Sequence, residues 1–265
     1  MKSKTTDRYR SKPKLPHKNK RGSRTWIIPL MLFMILLIAA AALLIPRNIR
    51  PLSQDSSGGS LSIANSDPST IPEYTGDDCI ELNGGIPCFN EWDIENITGE
   101  NYSELDTLGR CGAAVALLDD SMMPKEPRGE IGEVRPSGWR QTRYDGLIGS
   151  DPPYLYNRCH LIAYALTGQN DNPLNLITGT SYMNKTLMLP WEEQVIRYLE
   201  GYNAHVLYRV TPYFYKKELL ARGVEIEAYS VEDKGSGICF HVFIYNVQPG
   251  VELDYSTGES RRINP

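Results

Sequence analysis

The chain has 265 residues, 41% hydrophobic and 23% charged, with a formal net charge of −4. That length suits one medium domain with appendages, and on bulk electrostatics an acidic chain is a poor generic binder of nucleic acid. The charge is unevenly placed: residues 1–25 hold ten Lys and Arg against one acid, Asp7, which leaves −13 on the remainder.

Trp26 to Pro46 reads WIIPLMLFMILLIAAAALLIP, 21 residues without a charge. At ~1.5 Å per residue a helix of that length spans roughly 30 Å, the hydrocarbon thickness of a bilayer. Pro29 falls in the first turn, where proline is tolerated, and Trp26 suits the membrane interface. The basic excess lies wholly N-terminal to the run. Residues 1–25 are therefore expected as a cytoplasmic tail, 26–46 as a transmembrane anchor, and the remainder on the outer side. A cleaved signal peptide is the alternative: its apolar region is usually about 7–15 residues, shorter than this one, although the four alanines at 39–42 offer a cleavage site. Residues 47–75 are rich in Ser, Pro, Gly, Asn and Asp and read as a flexible linker. The folded domain is expected over 76–265.

Within it, CIELNGGIPCF (79–89) reads as a hairpin turning at Asn83-Gly84-Gly85. Cys79 and Cys88 flank that turn, and an outward-facing domain could join them in a cross-strand disulfide. Five cysteines leave at least one unpaired in the chain, and no CxxC pair or Cys/His spacing suggests zinc. RCGAAVALLDD (110–120) and Trp139–Tyr144 read as strands, and Tyr154–Tyr156 begins a third. GQNDNPLN is a loop, and Leu174–Thr178 a short strand. Pro190 opens a helix to about Glu200, with Trp191, Val195, Ile196 and Leu199 at helical spacing and Gly201 ending it. HVLYRVTPYFY, GVEIEAYSV and ICFHVFIYNVQP are β-rich. The order predicts an α+β domain, a mostly antiparallel sheet with few helices.

Of the four histidines, His17 lies in the basic tail, and His205 and His241 border or sit in β runs. His160 ends an aromatic strand two residues after Arg158, with Asn175, Asn184 and Glu192 following within 32 residues. Phosphodiester hydrolysis needs a base near neutral pH, which a neutral imidazole provides. It also needs positive charge against the phosphoryl oxygens, from a guanidinium or a divalent cation. Mg²⁺ takes oxygen ligands and keeps several waters. His160, Arg158, Asn184 and Glu192 supply these parts. Four arginines (Arg135, Arg140, Arg143, Arg158) against two acids between 135 and 160 give this stretch a local basic balance.

YNRCHLIAYAL, NPLNLITGTSYMN and PWEEQV, in that order, resemble the DNA/RNA non-specific endonuclease family, whose active site is a ββα-metal finger. The text from HVLYRVTPYF to VELDYSTG resembles its Gram-positive surface and secreted branch. The resemblance spans roughly 78–260. It implies His160 as general base, Asn184 as metal ligand, and Glu192 as holder of metal-bound water or of the ligand shell. It implies that Asn175 positions the loop or the catalytic water, and that Arg158 supports the site and faces phosphate. The cofactor implied is Mg²⁺ or another divalent cation such as Mn²⁺, and the products would carry 5′-phosphates. Arg140 and Arg143 are candidates, by place alone, for a further substrate-binding arginine.

Two residues depart from the family pattern. Asn157 stands for Asp, losing a charge that raises imidazole basicity, and Cys159 stands for Gly, a strained choice if φ is positive there. Alternatives stay open: Glu193 for Glu192, a helix-terminus role for Glu192, and a capping role for Asn184. The expected function is a metal-dependent, sequence-non-specific endonuclease of DNA and RNA, held to the membrane through 26–46. The competing readings are an inactive envelope-anchored binding module and a cysteine hydrolase built on Cys111 or Cys159. The latter is disfavoured at Cys159 because neighbours on a strand face opposite ways.

Overall fold

A computed structural model describes residues 73–263. The expected basic tail, transmembrane anchor and nearly all of the linker lie outside the described residues. Among the described residues no helix is long and apolar enough to cross a membrane.

The framework is a six-stranded antiparallel sheet in the order β1-β8-β7-β6-β3-β2. Its strands are β1 Cys79–Glu81, β2 Glu100–Tyr102, β3 Ala114–Leu118, β6 Val206–Tyr213, β7 Gly223–Ser230 and β8 Cys239–Tyr245. The three long central strands are rich in β-branched and aromatic residues, which suit a pleated buried surface, and they pair continuously from Val206↔Ser230 to Gly223↔Tyr245. A separate antiparallel pair, β4 Tyr156–His160 with β5 Leu176–Thr180, is followed by a π-helical turn, Met183–Leu187, and helix α3, Leu189–Gly201. Two shorter helices, α1 Glu91–Asn96 and α2 Tyr164–Thr167, and a third pair, β9 Val251–Leu253 with β10 Ser260–Arg262, complete the domain.

The period of two along each strand sorts the sheet's faces. Ala114, Ala116, Val206, Tyr208, Ile226 and Val242 point to one side, where they pack with Cys159, Ile177, Val195 and Leu199 of the β4–β5 and α3 unit in the main core. The other face is polar at its centre. Arg209 pairs with Glu227 and stacks 4.8 Å over Phe89, while Glu225 accepts from both His241 and Tyr213. Residues 83–97 cover that face.

The α+β class and the mostly antiparallel sheet agree with the sequence reading. The hairpin at 79–89 does not form: β1 pairs with β8 instead, Cys79 opposite Ile244, and the chain turns through a 3₁₀ segment at Asn83–Gly85. Pro87 has no N–H to give a returning strand, and the Cys88 N–H donates to the Glu227 carboxylate at 2.7 Å. All five cysteines are free thiols, so Cys79 and Cys88 are not bridged. Trp139–Tyr144 is not a strand; only Arg143 and Tyr154 bridge. The short strand begins at Leu176 rather than Leu174, because Pro173–Asn175 forms a 3₁₀ turn capped by the Asn172 side chain. Helix α1 has no counterpart in the sequence reading, although Asn90 and Asp93 form a reciprocal capping box at its start.

Candidate active site

His160 closes β4, paired with Leu176 at the start of β5, and is 6% exposed. The Asn170 carbonyl oxygen lies 2.9 Å from its Nε2. A carbonyl only accepts, so Nε2 carries the proton and the lone pair is on Nδ1. An Arg128 guanidinium nitrogen lies 3.4 Å from Nδ1 and donates to it. Burial pushes the His160 pKa down to about 4, aided by the Arg128 charge and opposed by the backbone hydrogen bonds. The ring is therefore neutral at ordinary pH, the state a base requires.

Asn175 is fully buried and reaches no ligand position. Its Oδ1 accepts from the Ile162 N–H and its Nδ2 donates to the Ile162 carbonyl, both at 2.9 Å. Its own carbonyl accepts from the Leu161 N–H at 2.9 Å. These three bonds clamp the two residues after His160 and so fix where the imidazole emerges.

Arg158 faces the same side of β4 as His160. Its guanidinium donates to the carbonyls of Val134 at 2.5 Å and Gly132 at 2.6 Å and stacks 4.3 Å over Trp139. It thus fastens the 126–134 loop beside His160. Tyr164 and Asn170 fasten it too, through the Glu126 carbonyl at 2.8 Å and the Glu130 carbonyl at 3.3 Å. That loop delivers Arg128. Arg140 and Arg143 are exposed. Arg143 pairs with Asp145 at 3.1 Å, and no described contact ties either arginine to His160. Arg128 escaped the sequence reading because it lies 32 residues upstream in a Gly/Pro-rich loop with no local pattern; only tertiary contact brings it to the ring.

Asn184 sits in the π-helical turn between β5 and α3, partly exposed, with no hydrogen bond from its amide to a described residue. Glu192 lies in the first turn of α3. Burial, and secondarily Glu193, pushes its carboxyl pKa up to about 7. The residue keeps some open surface, but its carboxyl is turned toward the core, where the buried Cys159 thiol and Tyr208 hydroxyl both sense its charge. Cys159 also senses Arg128, so Glu192 and Arg128 act on one point next to His160 in the chain. Glu193 points outward and pairs with Arg197 at 3.2 Å.

Cys159 is regular strand without positive φ, so the family's glycine is not required by the backbone here. Its side chain fits because Gly179 stands across the hairpin: a Cβ there would come 2.6 Å from Cys159 Cβ. The Asn157 amide nitrogen is buried and without a partner. The thiols give no hydrolase: burial raises Cys159 well above the usual thiol range and pushes Cys111 up to about 12, the wrong direction for a nucleophile.

Solved structures share this architecture. The nuclease NucA from Streptococcus agalactiae, in a crystal structure with magnesium bound, is 26% identical with a TM-score of 0.60, covering 69% of this chain and 87% of that one. Its metal-free structure gives 27% and 0.59, over 69% and 86%. The nuclease Sda1, with bound zinc, is 25% identical with a TM-score of 0.52, over 64% and 83%. Residues 92–232, just over half of the chain, match the DNA/RNA non-specific endonuclease family. An imidazole on a ββα unit, a guanidinium beside it and this match give one conclusion: the chain belongs to the DNA/RNA non-specific endonuclease family.

Proposed function

We propose that the protein is a divalent-cation-dependent endonuclease that cleaves DNA and RNA without sequence preference, displayed on the outer side of a membrane by residues 26–46. The observation that carries the catalytic reading is the His160 ring, proton on Nε2 toward Asn170 and lone pair on Nδ1 toward Arg128.

His160 Nδ1 takes the proton of the water that attacks phosphorus. Arg128, which already donates to Nδ1, shifts onto a phosphoryl oxygen of the substrate and leaves the lone pair free for that water. Arg158 and Asn175 hold the loop and the strand end that fix these two groups. The Asn184 amide and the Glu192 carboxyl, neither tied by a described hydrogen bond, are oxygen donors suited to a hard cation such as Mg²⁺ or Mn²⁺. When bound, the cation offsets charge on the scissile phosphate and the leaving 3′ oxygen. Cleavage at that bond leaves 5′-phosphates. The magnesium and zinc in the similar nuclease structures support this cation class. The uncharged run at 26–46 behind a basic segment supports the outward placement.

The test is the full chain with plasmid DNA or RNA and Mg²⁺, with and without EDTA. Cleavage by the wild type, abolished by EDTA and by His160→Ala with its circular dichroism unchanged, is the expected result. Equal inactivity of both proteins in every metal tried would replace the enzyme with an envelope-anchored binding module. For the location, protease added to intact cells is expected to remove the domain.

A further inference from the structure

A second group of metal-binding character lies on the opposite face of the sheet. Cys88 Sγ, an imidazole nitrogen of His241 and a carboxylate oxygen of Glu227 fall within 4.8 Å of one another. Glu227 and His241 are cross-strand partners on β7 and β8, and Cys88 descends from the segment that covers this face. We infer that these three residues form a second cation site, of zinc class, that clasps the 86–88 segment onto the sheet.

The Cys88 sulfur already faces Nδ1 of His241, while the Glu227 carboxylate lies 3.9 Å from Nε2 and turns toward Nδ1 when a cation binds. His241 Nε2 faces the Glu225 carboxylate, which fixes the ring and leaves Nδ1 toward Cys88, 3.9 Å from its sulfur. A carboxylate behind a ligating imidazole is the usual support of a metal-bound histidine. Glu225 is itself held by the Tyr213 hydroxyl, and Glu227 by Arg209 and by the Cys88 N–H. The Ile86 carbonyl lies 3.1 Å from Nδ1. A proton on Nδ1 satisfies that carbonyl when no metal is bound; a cation takes the proton's place and gains the carbonyl as an additional oxygen donor. Ligands at zinc's bond lengths stand about 3.5 Å apart in a tetrahedron, so the 3.9 Å between the Cys88 sulfur and Nδ1 closes with a shift of a few tenths of an ångström. The Glu227 carboxylate, within 4.8 Å of the sulfur and of a ring nitrogen, closes the rest by rotation of its side chain.

The donors also set the ion. Thiolate and imidazole select zinc-like metals over Mg²⁺, whereas the Asn184 and Glu192 donors are oxygen alone. The two sites are thus chemically distinct. Sequence spacing did not show this one because Cys88 lies more than a hundred residues before Glu227 and His241, which meet only as cross-strand partners.

Cobalt(II) reports it. Co²⁺ titrated into the reduced full chain should give a thiolate-to-cobalt charge-transfer band that saturates at one equivalent. The band should survive Asn184→Ala and Cys239→Ser and vanish in Cys88→Ser. Alkylating the exposed thiols of folded Cys239→Ser protein should also remove it, so a poorly folding Cys88 variant would not decide the matter. Zinc should raise the melting temperature of the wild type and not of Cys88→Ser. No band in the wild type, or a band that persists without a free Cys88 thiol, overturns the inference. Nuclease activity lost in Asn184→Ala while the band persists separates this site from the proposed catalytic one.

Discussion

The carbonyl of Asn170 receives the Nε2 proton of His160 at 2.9 Å, and this bond decides which ring nitrogen is free to work. The free one, Nδ1, meets Arg128 at 3.4 Å. The Arg128 charge disfavours a proton on the ring, and an arriving anion offers the guanidinium a stronger, charged acceptor.

Arg128→Gln is expected to lower turnover about 100-fold or more, the usual loss when a donor to developing charge is removed. It should also raise the His160 pKa, because the Arg128 charge is one of the influences that lower it. Burial, the larger influence, remains, so the rise is partial. Ring-proton NMR titration of wild type and variant measures it; an unmoved midpoint would place Arg128 elsewhere in solution.

His160 gives the fold a defined acid sensitivity. The folded ring takes a proton near pH 4, against 6.5 for an ordinary histidine. Between those values the unfolded chain is protonated and the folded one is not. Stability is thus fully present above about pH 6.5 and is lost as pH falls through 4. Urea titrations at steps from pH 3.5 to 8 should show the wild type losing more stability than His160→Gln over that window. A constant difference between the two would contradict the buried neutral ring.

Asn175→Asp keeps the shape and removes the donor to the Ile162 carbonyl. With both oxygens able only to accept, one buried carbonyl loses its partner and faces a carboxylate. A loss of about 2–4 kcal/mol is expected, from the net hydrogen bond and the unpaired buried group. Chemical denaturation gives the number, and turnover should fall with the His160 position even where the variant remains folded.

Gly179→Ala brings a methyl 2.6 Å from Cys159 Cβ and 2.8 Å from Met183 Cε. Overpacking of this kind costs roughly 1–3 kcal/mol. Cys159→Gly opens the space, so the double variant should recover most of the loss, a non-additivity that neighbouring sites commonly show. Thermal melts of the four proteins in the cycle test it; additive effects would mean that the two side chains do not meet.

The long strands were legible because β6, β7 and β8 are dense in valine, isoleucine and aromatic residues, and α3 because Pro190 and the Trp191-to-Leu199 spacing mark it. His160 was legible as the end of an aromatic strand, and Arg158 as its companion on the same face. What failed did so for reasons outside the local text. Trp139–Tyr144 has strand composition, but the segment opposite carries Pro152 and Pro153, which donate no N–H, and the ladder stops at one bridge. Cys79 and Cys88 looked like two arms of one turn. The first arm found a better partner in β8, and the second was drawn to Glu227 by its N–H. Arg128 carries no periodicity or motif at all; four carbonyls on its loop, accepting from Tyr164, Asn170 and Arg158, bring it home.

Because the partner of His160 Nε2 is a main-chain oxygen, no side-chain substitution at position 170 can delete it. The stretch from Gly168 to Asn172 is therefore the lever through which the imidazole's tautomer is set. Grafting connections of other lengths between α2 and β5 would retune the acid limb of the enzyme while every side chain proposed for catalysis stays as it is.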